Sequence, residues 1–180
     1  NTAQKELDNI TKRLKSAVAS RNQAPSALDA LVAATPQDAQ GTPSPAVELA
    51  KYRLEVAEGR VEAMQSLVEG LESLIQLENI SYKAYQDRKA FYDATNPQQK
   101  AKAIESLSQL LDRLIAWKNV AENDISASAA DLSKLESRAA SITSEDPRFS
   151  LLNEQRAIKS ETLAMLQRIS QMVTAQHKLV

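Results

Sequence analysis

The chain of 180 residues holds 22 basic and 23 acidic side chains, for a formal net charge of −1, and only 4% of its residues are aromatic. With 3 glycines and so few aromatic residues, it lacks the composition of a β-rich fold. No basic stripe is visible, so we expect no nucleic-acid partner, and the absence of cysteine excludes disulfides and thiolate metal sites.

The first predicted elements are a short helix and a linker. We expect a helix over residues 2–22 and then a Pro-containing linker over 23–44. Within this linker, Ser26 and Asp29 form a capping-box pattern that predicts a short helix ending at Ala34. The linker itself is interpreted either as a loop or as a docking segment that folds on a partner.

Three long helices follow, and each is preceded by a residue that caps helices and then by proline. The pairs are Ser44-Pro45, Asn96-Pro97 and Asp146-Pro147. Proline suits the first helical position because the backbone N–H there has no partner within the helix. These signals predict helices over residues 45–93, 97–142 and 147–180.

Each long helix carries an apolar seam with alternating steps of three and four residues, which is the pattern of helices packed along one stripe. The first seam runs from Val47 to Ile75 through Ala50, Leu54, Ala57, Val61, Met64, Val68 and Leu71. The second runs from Ile104 to Ile142, with Lys118 and Ser128 at polar positions, and the third from Ile158 to Leu179.

These patterns predict an all-α fold: one domain over residues 1–180, an elongated up-and-down helical bundle with coiled-coil-like packing. It has three long antiparallel helices of about 70 Å and a shorter N-terminal helix. The hairpin tip near residues 81–108 is expected to project beyond the last helix. The first helix, if antiparallel to the second, is expected to begin level with about residue 66.

Aromatic residues concentrate at that tip, where Tyr82, Tyr85, Phe91 and Tyr92 are candidates for contact with a protein partner. Tyr82 and Tyr85 also continue the seam of their helix. The alternative interpretation is therefore that they pack in the core.

Two further features of the second helix have alternative interpretations. Leu67, Leu74, Leu77 and Ile80 form a second apolar stripe, which indicates either contact with two neighbouring helices or an oligomer face. Gly59 and Gly70 indicate either close approach of the first helix or glycines tolerated on the surface.

The sequence is poor in catalytic patterns, and we predict neither enzyme activity, metal site nor cofactor. His177 is the only histidine, and no Gly-rich phosphate loop occurs. Four residues are candidates for a small-molecule pocket between helices: Arg113, Trp117, Lys118 and Gln171. The simpler interpretations are that Trp117 fills the core and that Lys118 packs its stem while its ammonium reaches water.

Two stretches resemble a known family: LDRLIAW at residues 111–117 and EDPRFSLL at 145–152. They are similar to the helical N-terminal extracytoplasmic regions of large mechanosensitive channels of the small-conductance type, whose Leu/Ala/Glu-rich helices are often joined by an acidic-Pro-Arg turn. The resemblance covers about residues 97–180. It implies an all-helical domain in the bacterial periplasm, attached to a membrane protein, and it transfers no functional residue.

The leading hypothesis is therefore a non-catalytic helical spacer or interaction domain, an excised part of a membrane protein, which contacts a protein partner or self-associates through helix faces. One alternative is the ligand-sensing four-helix bundle of a chemoreceptor or sensor kinase. Another is a spectrin-like scaffold, for which no second copy of the Trp117 context is found.

Overall fold

A computed structural model describes residues 2–35 and 44–179 of the chain. Four helices make up this described part: α1 at Thr2–Ala34, α2 at Pro45–Asp93, α3 at Pro97–Ala140 and α4 at Pro147–Leu179. The described residues contain no strand. The prediction of an all-α helical bundle is confirmed.

The predicted caps explain why the long helices begin where they do. The Ser44 hydroxyl accepts from the backbone N–H of Val47 at 3.3 Å, and the Asn96 side chain accepts from Gln99 N–H at 2.9 Å. Asp146 similarly accepts from the backbone N–H of Arg148 at 2.8 Å. Each cap satisfies a donor that the first helical turn leaves without a partner.

The first helix differs from its prediction, because α1 runs for 33 residues and continues through Pro25. The expected linker from residue 23 and the helix start at Ser26 were wrong; the linker's residues 36–43 lie outside the described part. Proline inside a helix costs about 3 kcal/mol or more. Here an inward stripe with steps of four and three residues continues on both sides of the exposed Pro25: Ala3, Leu7, Ile10, Leu14, Ala17, Arg21, Ala24, Leu28 and Leu31. Burial of this stripe offsets that cost.

Helix α2 is the centre of the bundle, since it packs against α1, α3 and α4, while α3 also packs against α4. The ends of the α2–α3 pair are joined by Glu55–Arg138 at 3.4 Å and by Asp87–Ser106 at 2.6 Å, which confirms that the two helices are antiparallel as predicted. Helix α1 is antiparallel to α4, because Arg13 pairs with Glu161 and Glu6 pairs with Arg168.

The bundle is elongated. With 49 residues, α2 is about 73 Å long. The accessible surface of 11284 Å² is well above the roughly 8600 Å² expected of a compact monomer of this mass. Such excess surface is typical of a rod rather than a sphere.

The second apolar stripe of α2 forms the middle of the core. Leu67, Leu74 and Leu77 are at most 2% exposed, and they pack with Leu114 of α3 and Val173 of α4. The stripe is therefore buried inside the bundle because α2 has three neighbours, and it is not an oligomer face. Most of the predicted seams are buried or half-buried, although Ile104 and Leu179 at their ends are exposed.

The two helical glycines face α4, which corrects the expected approach of α1. A Cβ atom at Gly70 would lie 2.9 Å from Met165 Cγ and 3.3 Å from Ile169 Cδ1. One at Gly59 would lie 3.3 Å from Gln155 Nε2. At Gly70 the backbones of two parallel helices thus approach closely.

Candidate interaction surfaces

The hairpin tip is anchored just below its aromatic residues. Asp87 accepts hydrogen bonds from Ser106 at 2.6 Å and from Lys83 at 2.9 Å, and Lys83 also donates to Ser106 at 2.8 Å. Burial alone would raise the pKa of Asp87, but the hydrogen bonds from Ser106 and Lys83 outweigh it and lower that pKa. Beside this cluster, Arg88 donates to the carbonyl of Leu179, so α4 ends at the base of the tip.

Three tyrosines lie on the outside of the tip. Tyr82 and Tyr85 are each 65% exposed and Tyr92 is 76% exposed, so the expectation that Tyr82 and Tyr85 pack in the core was wrong. Phe91 is half-buried; its ring packs edge-on against Tyr92 at 5.6 Å, and the Lys100 ammonium lies 5.6 Å from its centroid. Tyr82, Tyr85 and Tyr92 are called the tyrosine stripe below.

The tyrosine stripe is exposed because α1 does not extend along it. Further down α2, the same seam is covered by α1: Val61 and Met64 pack with Ala17, Leu14 and Val18. Arg168 pairs with Glu6 and neighbours Ile169, which lies against Gly70. Together these contacts place Thr2 level with about residues 73–77 of α2, one turn or more before Tyr82.

The four candidate pocket residues do not line one cavity in the described structure. Arg113 and Trp117 border a shallow depression between α2 and α3, together with Gln76. Gln171 lies in a separate groove near the end of α4. The Lys118 ammonium lies 3.7 Å from Glu122 and its side chain is 43% exposed. Trp117 is half-buried and packs against the main core from its edge rather than filling its centre.

A long groove between α2 and α3 was missed by the sequence analysis; α4 forms its floor except in the last section, next to Ile80 and Arg113. The groove extends from Glu55 and Arg138 past Gly70 to Ile80 and Arg113, about 38 Å along α2. Its largest section has a volume of about 540 Å³. The floor of this section is formed by Thr162, Leu166 and Ile169 of α4. Its apolar wall is formed by Trp117, Val120 and Ala121 of α3.

Carboxylates occur on both rims of the middle section of this α2–α3 groove, whereas basic residues border its two end sections: Arg60, Lys134 and Arg138 at one end and Arg113 at the other. Counting in heptads from the Glu55–Arg138 pair, Glu62 is level with Asp131 and Glu69 is level with Asp124. All four carboxylates border the groove. Asp131 is paired with Lys134 at 3.3 Å and Lys159 at 3.6 Å, whereas Glu62, Glu69 and Asp124 form no salt bridge within the described residues. The seven-residue spacing on both helices was the sequence signal for this surface.

Among residues 2–35 and 44–179, no three His, Asp or Glu side chains are grouped so that they could hold a metal ion. Within the same ranges, no helix has an apolar stretch of the length and hydropathy needed to cross a bilayer. The chain matches no protein-family model, no curated protein and no solved structure. The resemblance of residues 97–180 to mechanosensitive channel regions stays a prediction.

Proposed function

We propose that this chain is a non-catalytic helical spacer and protein-interaction domain, attached to a bacterial membrane protein on its extracytoplasmic side. The observation that carries the proposal is the tyrosine stripe, three side chains 65%, 65% and 76% exposed at one end of a rod. Tyrosine combines an apolar ring with a polar hydroxyl, and it is enriched where proteins contact each other.

The rod geometry supports a spacer role. The rod has a defined length because α2, its longest helix, packs against α1, α3 and α4. Thr2, Tyr82 and Leu179 all lie toward the same end of the bundle, since Leu179 bonds to Arg88 and Thr2 is level with about residues 73–77 of α2. A partner at that end would contact the tyrosine stripe.

The extracytoplasmic location rests on the resemblance of residues 97–180, and the lack of cysteine makes it directly testable. In the full-length protein in its native host, Val32→Cys, at a 47% exposed position away from the tyrosine stripe, should react with a small membrane-impermeant maleimide in intact cells. Leu114→Cys, which replaces a fully buried residue, should be labelled no more than the wild-type protein treated in parallel. Labelling of Val32→Cys only after lysis would place the domain in the cytoplasm.

The interaction is tested by replacing the tyrosine stripe with serine at all three positions. In membranes of the host, chemical crosslinking should trap the wild-type protein in a larger assembly that the triple variant does not form. A control variant, Val32→Ser with Ile115→Ser, removes exposed apolar residues elsewhere and should keep the assembly. If the triple variant has unchanged helicity and still forms the same assembly, the tyrosine stripe is not the contact. Sedimentation of the isolated domain separates self-association from binding to another protein.

A further inference from the structure

We propose that the α2–α3 groove binds a cationic amphipathic helix of a partner protein, with lysine or arginine on both flanks of an apolar stripe. This inference deepens the proposed interaction function and rests on it, but it concerns a surface separate from the tyrosine stripe. The groove runs for about 38 Å, which is the length of a helix of about 25 residues.

The shape of the groove fits a helix because its walls and floor are themselves helical. At its widest section the floor is Leu166 and Ile169 of α4, and α3 contributes Trp117, half-buried, and Val120, 56% exposed. An apolar stripe laid between α2 and α3 would contact these residues and remove Val120 from water. The addition would extend a bundle in which α1 already covers another face of α2.

The middle section of the groove specifies the sign of the occupant: four carboxylates border it, and its one basic residue, Lys159, is paired with Asp131. Arg60, Lys134 and Arg138 border one end section and Arg113 the other, so the lysines of the occupant belong on its middle turns. Glu62 and Glu69 on α2 and Asp124 on α3 have no salt-bridge partner within the described residues, and Glu69 is level with Asp124. Like charges on facing helices repel each other, and cations inserted between them would remove that repulsion. A helix with lysines on both flanks could reach both rims at once.

The test uses a designed helix of about 21 residues, with leucine and alanine on one face, lysine on both flanks, a fluorescent label and no tryptophan. Its counterpart has glutamate at every lysine. Anisotropy of the label measures affinity, and the emission of Trp117, the only tryptophan in the chain, reports whether binding occurs in the groove. Both are measured at about 150 mM salt, where exposed charges are substantially screened.

Two variants with the same change in net charge are compared. The groove variant is Glu62→Gln, Glu69→Gln and Asp124→Asn, and the control variant is Glu58→Gln, Glu72→Gln and Asp112→Asn, at exposed positions on the same two helices. We expect the groove variant to bind the lysine helix about tenfold more weakly than wild type, because three exposed ion pairs are removed. The control should stay within about twofold, and Trp117 emission should shift to shorter wavelength on binding.

Three results would each overturn the proposal: equal weakening in both variants, equal binding of the glutamate helix, or binding that leaves Trp117 emission unchanged. No binding of the lysine helix at millimolar concentration would do the same. Circular dichroism confirms that both variants keep the wild-type helicity. Because the serine variant of the tyrosine stripe retains all groove residues, failure of the tip contact and failure of groove binding are distinguishable.

Discussion

Glu69 on α2 and Asp124 on α3 lie level with each other in a helix pair whose two ends are joined by Glu55–Arg138 and Asp87–Ser106. Along its middle the pair presents carboxylates on both sides of a groove, although Leu74 and Leu77 of α2 pack with Leu114 of α3 in the core. Because like charges that face each other repel, these carboxylates oppose the packing of the two helices.

Reversing one rim charge should therefore stabilise the domain. Asp124→Lys places an ammonium level with Glu69, and we expect the free energy of unfolding to rise by about 0.5 kcal/mol, the value typical of an exposed ion pair. Urea unfolding followed by circular dichroism measures the change. Asp112→Lys, on the same helix but away from the groove, should have a smaller effect. A loss of stability in Asp124→Lys alone would contradict the repulsion.

The two helical glycines should respond differently to alanine. Gly59→Ala should raise the free energy of unfolding by about 0.5–1 kcal/mol, because alanine favours helix and the end of the flexible Gln155 side chain can move. Gly70→Ala should lower it by about 1 kcal/mol, because the new Cβ would lie 2.9 Å from Met165 Cγ in a packed interface. Thermal unfolding of the two variants side by side checks this. Equal stabilisation would mean that α4 does not approach Gly70 as described.

A bidentate ion pair orients α1 against α4. Arg13 Nη1 and Nη2 donate to the two carboxylate oxygens of Glu161 at 2.8 and 2.9 Å, and this hydrogen bonding raises the pKa of Arg13. Arg13→Glu should lower the free energy of unfolding by about 1 kcal/mol, and adding Glu161→Arg should restore most of it. The double-mutant cycle is measured by urea unfolding. Additive losses would show that the two residues do not interact in solution.

Tyr52 holds a buried hydroxyl that makes no hydrogen bond within the described residues, and burial raises its pKa. Tyr52→Phe removes an unsatisfied polar group, so we expect a gain of about 1 kcal/mol and a melting temperature about 2–4 °C higher. The ring would stay beside the Arg138 guanidinium, 5.6 Å from its centroid. Tyr85→Phe, at a 65% exposed position, should change the melting temperature little. A lower melting temperature for Tyr52→Phe would reveal a bond to this hydroxyl.

The start of α4 should respond to acid. Hydrogen bonds from the Arg148 side chain and backbone lower the pKa of Asp146 from its ordinary 3.8 to about 2. Because this pKa is lower in the folded than in the unfolded state, ionised Asp146 stabilises the fold above about pH 4, and the contribution disappears as the pH falls toward about 2. Arg148→Ala should raise the pKa of Asp146 toward 3.8, as measured by carboxyl ¹³C titration. Arg156→Ala should leave it at about 2. An unchanged pKa in Arg148→Ala would assign the shift to the backbone alone.

The sequence by itself determined the three long helices and their starts. Ser44, Asn96 and Asp146 cap their helices through bonds to residues two or three positions away, so the signal is local and readable. The heptad seams likewise predicted most of the buried faces, because helix geometry alone places residues three and four apart on one face.

Only the tertiary structure decided which helix faces are covered by a neighbouring helix of the chain and which stay exposed. Pro25 lies within α1 because burial of a stripe on both sides of it outweighs a local penalty. Tyr82 and Tyr85 follow the seam pattern yet are exposed, because α1 begins below them. The α2–α3 groove depends on residues more than fifty positions apart, such as Glu69 and Asp124, and their juxtaposition arises only when the hairpin has folded back on α4.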